Sequence, residues 1–215
     1  MLYGATMSRP KDGGSGQSLR ERKQARTRQA LMSAATELFG RHGYDETTVA
    51  DIAAHAEIGT RTFFSYFTSK EELLFPDVDA RVQAAIDAIT TRGPHEQPTE
   101  VLLRALHDVA ATDNGIVTDL AALRMRLLQT VPAVRGRALR YQLDAERDIA
   151  RHLHAAFPDE LDEVTAAALV GAFVGAVAGA LHVVLANPDT SPTGRKQLSE
   201  RVRHATSVAL RPWLG

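Results

Sequence analysis

Residues 47–67 read Thr47-Thr48-Val49-Ala50-Asp51-Ile52-Ala53-Ala54-His55-Ala56-Glu57-Ile58-Gly59-Thr60-Arg61-Thr62-Phe63-Phe64-Ser65-Tyr66-Phe67. The pattern predicts two short helices joined by a turn. Thr48 opens the first, with Asp51 three residues on and Val49, Ile52 and Ala53 as its inward face. His55 to Glu57 have the character of a turn, and Ile58 supplies an apolar plug for the core. Gly59 serves as the cap of a second helix over 60–67, whose Phe63 and Phe67, four apart, face inward together.

Upstream, Ser18 and Glu21 form an S-x-x-E capping box at the start of a longer helix. Leu31, Ala35, Leu38 and Phe39 lie on one face of it, and Gly43 suits the left-handed residue that closes a helix. Two short helices packed on a longer first one make a helix-turn-helix unit. Its second helix fits the major groove of DNA, and helix N-termini offer free N–H groups and partial positive charge to phosphates.

Downstream, Ser69 with Glu72 reads as another capping box, opening a fourth helix. Helical stretches follow near 77–92, 98–111, 115–130, 133–156, 160–187 and 194–212. Breaks fall at Gly93-Pro94, Asp113-Asn114-Gly115, Pro132, Pro158-Asp159 and Asn187 to Gly194. Alternating strand patterns and internal repeats are absent. The expectation is an all-α fold of about nine helices: a disordered leader over 1–17, a three-helix reading domain over 18–68, and a helical bundle over 69–215.

The net charge of −1 across 215 residues does not by itself announce a nucleic-acid partner. Its distribution does more. Arg9, Lys11, Arg20, Arg22, Lys23, Arg26 and Arg28 face only Asp12 and Glu21 over residues 9–28. Such an arm suits phosphates, or is merely a solvated tail. The absence of cysteine removes disulfides, thiolate catalysis and Cys-based zinc sites, and agrees with a reducing cytoplasm. Residues 1–17 lack the apolar run of a signal peptide.

The segments Ala34-Ala35-Thr36-Glu37-Leu38-Phe39, Gly43-Tyr44, Thr47 to Ala53, Ile58 to Phe67 and Ser69-Lys70-Glu71-Glu72-Leu73 together resemble the DNA-binding domain of the tetracycline-repressor (TetR) family. The resemblance covers about a quarter of the chain. It implies a regulator, with repression as the family default, that binds palindromic operator DNA as a homodimer and is released by a small-molecule effector, without a cofactor. By the same resemblance Thr48 binds a phosphate, and Thr60, Arg61 and Thr62 lie at the groove-facing start of the recognition helix. Arg61 is the expected base reader, because its fork matches guanine O6 and N7. Tyr66 and Lys70 grip the DNA backbone. Phe64 and Gly59 depart from the family's common Tyr and Ser; Phe64 keeps only an apolar contact, such as with a thymine methyl.

Val164 to Ala186 contain no charged residue, and Gly171, Gly175 and Gly179 make a doubled G-x-x-x-G. One reading is a transmembrane helix over 164–186, hence a membrane-anchored regulator. Against it stand the Ala and Gly content, the acidic flank Glu160, Asp162 and Glu163, and the missing aromatic belt. The family offers another use: the last two helices of each subunit form the dimer interface, and small residues admit the partner helix. An enzyme is the third class. His152 and His154 fall on different helix faces, and Gly13-Gly14-Ser15-Gly16 follows no strand. No catalytic or metal-ligating residue is therefore assigned.

The family also implies an effector cavity in the bundle. Residues that mix apolar faces with rare polar groups are the candidates: Leu103, Leu106, His107, Leu120, Leu123, Arg124, Leu127, Tyr141 and Phe173. Arg124, inside an apolar stretch, either faces solvent, pairs with a carboxylate, or orients an acidic ligand.

Overall fold

The computed structural model describes residues 18–111, 116–186, 189 and 191–213. The expected leader, the Asp113-Asn114-Gly115 break and Asn187 lie outside them.

Nine α-helices make up the described chain: α1 (Leu19–His42), α2 (Val49–His55), α3 (Thr60–Phe63), α4 (Val78–Thr90), α5 (Pro98–Ala111), α6 (Asp119–Thr130), α7 (Pro132–Ala156), α8 (Glu163–Val184) and α9 (Pro192–Ala209). Local chemistry sets their ends. Ser18 and Glu21 close their capping box on α1, and Gly43 ends it at φ 88°. Thr48 and Asp51 form a second box on α2. Pro132 and Pro192 sit in the first turns of α7 and α9, where their missing N–H costs nothing. α6 starts at Asp119, later than the sequence suggested, because the Thr118 hydroxyl caps it by accepting from the Ala121 amide.

The fourth helix does not start at Ser69. Glu72 accepts instead from the amide and hydroxyl of Thr68 at 2.6 and 2.7 Å. A short 3-10 turn, Glu71–Leu74, follows, and α4 begins only at Val78. Pro76 explains the break: it offers no N–H and disfavours helical backbone at the preceding residue, Phe75, which sits at φ −128°, ψ 45°.

Two apolar cores result. The N-terminal core joins Leu31, Leu38, Phe39, Ile52, Phe63 and Phe67 to Leu73–Phe75, and is completed by Leu123 and Leu127 of α6, Val134 of α7 and Val131 between them. The second core fills the bundle of α4–α9, with α8 packed between α7 and α9. Phe63 and Phe67 are 0% and 1% exposed, and each burial of this size is worth about 1.5–3 kcal/mol.

Candidate DNA-reading surface and effector cavity

The turn between α2 and α3 is fixed by a double hydrogen-bond closure. The Ile58 amide donates to Ala53 O at 2.8 Å and the Glu57 amide to Ala54 O at 3.0 Å. This pattern needs a left-handed residue, and Glu57 takes it at φ 56°. Ile58 then tucks half-buried against the N-terminal core. α3 is shorter than 60–67: after Phe63 the chain tightens, with the Ser65 and Tyr66 amides donating to Thr62 O and Phe63 O. Phe63 and Phe67 still pack together at 5.8 Å, so residues 60–67 remain one rigid piece.

Thr60, Arg61 and Thr62 are exposed on the start of α3, and Phe64 is 59% exposed beside them. Phe64 meets Phe63 edge-on, which holds its ring outward. Tyr66 is half-buried against the N-terminal core. Thr48 is exposed, but its hydroxyl serves the cap: it donates to Asp51 Oδ2 at 2.6 Å and accepts from the Asp51 amide. Those bonds, and the Asp51 contact with the Thr48 amide, hold the Asp51 carboxyl below its usual range.

Lys70 has a role that its sequence position did not reveal. Its Nζ donates to Tyr44 O at 2.8 Å and to Thr47 O at 3.1 Å, and lies 4.1 Å from the centre of the Tyr44 ring. Lys70 therefore ties down the loop that precedes α2, with one N–H left over. The Tyr44 hydroxyl donates to Glu71 beside it. Burial, then that carboxylate, push the Tyr44 phenol far up. Burial would raise Glu71, but hydrogen bonds from Ser69 and Tyr44 outweigh it and hold Glu71 below its ordinary value.

A partly enclosed cavity of about 290 Å³ opens in the body, and Arg124, Tyr141 and Phe173 line it as expected from the sequence. Leu103, His107, Leu120 and Leu127 do not. Leu127 is buried in the N-terminal core and Leu120 packs against it, because α6 turns that face toward the reading domain. Arg124 and Leu128 lie roughly 60–100° round the helix from Leu127, on the cavity side. Leu103 and His107 line a separate groove between α5 and α9, where His107 Nδ1 meets Arg203 Nη1 at 2.6 Å. Leu106 lines the cavity, whereas Leu123 is buried in the N-terminal core. Arg81, Phe75 and Gln142 also line it and escaped sequence reading. Phe75 follows a capping signal that pointed to a continuous helix, and Arg81 looked like any surface helix charge.

Arg124 Nη1 donates to Leu74 O at 3.0 Å. On the other side of the same segment, Arg28 of α1 donates to Pro76 O at 3.3 Å and lies over the Phe67 ring. Residues 74–76 are thus held from the bundle and from the reading domain at once. Arg137 of α7 adds a further tie to Thr68 Oγ1 at 3.0 Å.

The two histidines 152 and 154 direct their Nδ1 atoms to separate carbonyls, Asp148 O and Leu161 O. Gly175 and Gly179 are exposed and Gly171 half-buried; a Cβ added at any of the three would meet nothing within 4 Å. α8 is long and apolar enough to cross a membrane. In the fold it is a bundle helix that buries Ala166, Leu169, Val170, Phe173, Leu181 and Val184.

A helix-turn-helix on an all-helical body with an internal cavity defines a DNA-binding transcriptional regulator. The family model "Bacterial regulatory proteins, tetR family" matches residues 31–75. The HTH-type transcriptional regulator TcmR of Streptomyces glaucescens is 34% identical over 153 residues, covering 69% of this chain and 68% of that protein. HbdR of Aromatoleum sp., also an HTH-type transcriptional regulator, is 42% identical over 48 residues, 22% of this chain and 21% of HbdR. The fold is shared with the Thermus thermophilus repressor FadR in complex with lauroyl-CoA (TM-score 0.53, 24% identity, 87% of this chain and 95% of that one). It is also shared with SmeT in its triclosan complex (TM-score 0.58, 15% identity, 88% and 92%). The chain belongs to the TetR family of bacterial transcriptional regulators.

Proposed function

We propose that this regulator is a cytoplasmic repressor that binds a palindromic operator as a homodimer and is released by a small, mostly apolar molecule held in the bundle cavity. Residues 18–68 form the reading domain and 69–215 the sensing and dimerising body. The observation that carries this reading is that residues 74–76 join the two: Phe75 belongs to the N-terminal core and also lines the cavity. A ligand there touches the segment on which the reading domain is seated.

In the DNA complex Thr60, Arg61 and Thr62 meet base edges, Phe64 makes an apolar contact, and Thr48, Tyr66 and Lys70 meet phosphates. To reach a phosphate the Thr48 hydroxyl turns its hydrogen from Asp51 Oδ2 to the DNA while its oxygen still accepts from the Asp51 amide; for Lys70 the free donor is the one N–H not given to the loop. FadR is known in complex with lauroyl-CoA and SmeT with triclosan on the same fold, which supports a small-molecule use of this cavity. The unpartnered small-residue face of α8, with Gly171, Gly175 and Gly179, suits a second copy across a two-fold axis. Release follows from population shift: the ligand must prefer a dimer whose reading heads no longer match successive grooves.

Selection of duplex DNA from a random library by the purified protein tests the core of this reading. The expected winner is a palindrome with half-sites about one helical turn or more apart. A pool that stays random, or an asymmetric single site bound by a monomer, would overturn it. An apolar compound screen for loss of binding to the selected operator then tests release.

A further inference from the structure

The cavity is lined almost entirely by apolar side chains, including the rings of Phe75, Tyr141 and Phe173. Among the described residues its only charged lining groups are Arg81 and Arg124. Two half-buried cations on one apolar wall are costly, since each has lost part of its water and each repels the other. Arg81 has partial relief from Asp77, at the long distance of 3.9 Å. No carboxylate among the described residues lies within salt-bridge range of Arg124; its guanidinium lies 5.5 Å from the centre of the Phe75 ring, and its one hydrogen bond, to Leu74 O, uses one of five N–H groups. Burial first, then repulsion by Arg81, outweigh the attraction of Asp77 and bring the Arg124 guanidinium down to about 10, so it remains a cation at neutral pH.

We propose that the effector is an amphipathic anion: an apolar body seated against Phe75, Tyr141 and Phe173, with one acidic group held between Arg81 and Arg124. This rests on the reading of the cavity as the effector site, and it names the ligand class that the site selects. A carboxylate or sulfonate matches the planar guanidinium fork and cancels the repulsion between the two arginines. A neutral apolar ligand of the same shape covers both cations without pairing either. The acid also competes with the Leu74 carbonyl for Arg124. Capture of the guanidinium loosens the bundle's hold on residues 74–76 while Arg28 keeps its hold from α1. The charged end of the ligand is thus the part that reaches the reading domain.

A matched pair of fluorescent probes separates charge from shape. 8-Anilinonaphthalene-1-sulfonate and N-phenyl-1-naphthylamine differ only by the sulfonate, and both brighten in apolar surroundings. The full chain is expected to bind the sulfonate at one site per subunit, roughly tenfold or more tighter than the neutral probe. Arg124→Met and Arg81→Met should each remove most of that preference and leave the neutral probe within about twofold, whereas Arg81→Lys, which keeps the charge but loses the fork, should retain only part of it. Arg81 makes only a loose pair, so its variants stay informative should Arg124→Met fail to fold. Equal affinity for the two probes, or equal loss of both in the arginine variants, would overturn the anion assignment while the cavity stands. Ala145→Trp, which fills the cavity, should abolish binding of both probes. Probes that bind unchanged in Ala145→Trp, or an absence of binding by either, would overturn the cavity reading and the anion assignment with it.

Discussion

Arg61 stands exposed at the start of α3, between two exposed threonines, on a piece of chain locked by Phe63 and Phe67. Arg61→Ala should therefore leave folding intact, cost about 1–3 kcal/mol on the selected operator and relax one base position per half-site. Binding titrations on operator and on random duplexes check this; equal losses on both would reduce Arg61 to a phosphate contact. Lys70 behaves differently because it serves two purposes. Lys70→Met strips the Tyr44 and Thr47 carbonyls of their donor, at a cost of about 1–3 kcal/mol in stability. It should also lower the salt slope of DNA binding by about 0.9 per phosphate contact. A stability loss with an unchanged slope would make Lys70 a loop clamp alone. The caps at Ser18 and Thr48 were legible in the sequence, since both partners lie three residues apart. The Lys70 clamp was not, because its acceptors are backbone atoms more than twenty positions away, and sequence spacing carries no record of them.

At the scale of elements, helix positions followed from apolar period and cap chemistry, while two boundaries depended on backbone geometry. α3 tightens after Phe63, and the helix expected from Ser69 gives way to the 3-10 turn and a break at Phe75-Pro76. Glu72 had two possible partners, Ser69 and Thr68, and tertiary docking through Arg137 favours the second. The turn at Glu57 offers a direct test of strain. A left-handed non-glycine costs roughly 1–2 kcal/mol, offset in glycine by its greater freedom when unfolded, so Glu57→Gly should stabilise by about 0.5–1 kcal/mol. Urea midpoints measure this, and a destabilised Gly variant would mean that Glu57 gains something else from its place. The 3-10 turn carries a pH signature. Glu71 is held below its reference value of 4.5, so its contribution is fully present above that pH and is lost as pH falls through its lower folded value. Compared with Glu71→Gln, the native chain should hold an advantage in urea midpoint at pH 7 that shrinks as the pH falls below 4.5. An advantage independent of pH would assign the effect to shape rather than charge.

For the whole molecule, the sequence conveyed that a body of packed helices exists and which residues are apolar, but not which face of α6 looks where. Arg124 and Leu127 are three residues apart, yet one lines the cavity and the other the N-terminal core. That division is set by the docking of the reading domain onto α6 and α7, which no local pattern encodes. The α8 glycines pose the opposite situation: their spacing is plain in the sequence, and the fold leaves them without a neighbour. This permits a sharp test of assembly. Within one subunit a side chain at Gly175 meets nothing within 4 Å, and glycine inside a helix is about 1 kcal/mol less favourable than a good helix former. Gly175→Leu should thus stabilise the isolated subunit slightly. In the proposed two-fold dimer the same leucine would appear twice and drive the two α8 helices apart, where overpacking costs about 1–3 kcal/mol per site. The expected outcome is unchanged helix content by circular dichroism with a dimer dissociation constant raised by about tenfold or more in sedimentation equilibrium. DNA binding should fall in parallel, because both half-sites must be engaged by one dimer. A Gly175→Leu protein with native dimer affinity would move the interface off this stretch of α8, and loss of helix would show that Gly175 serves packing within its own subunit.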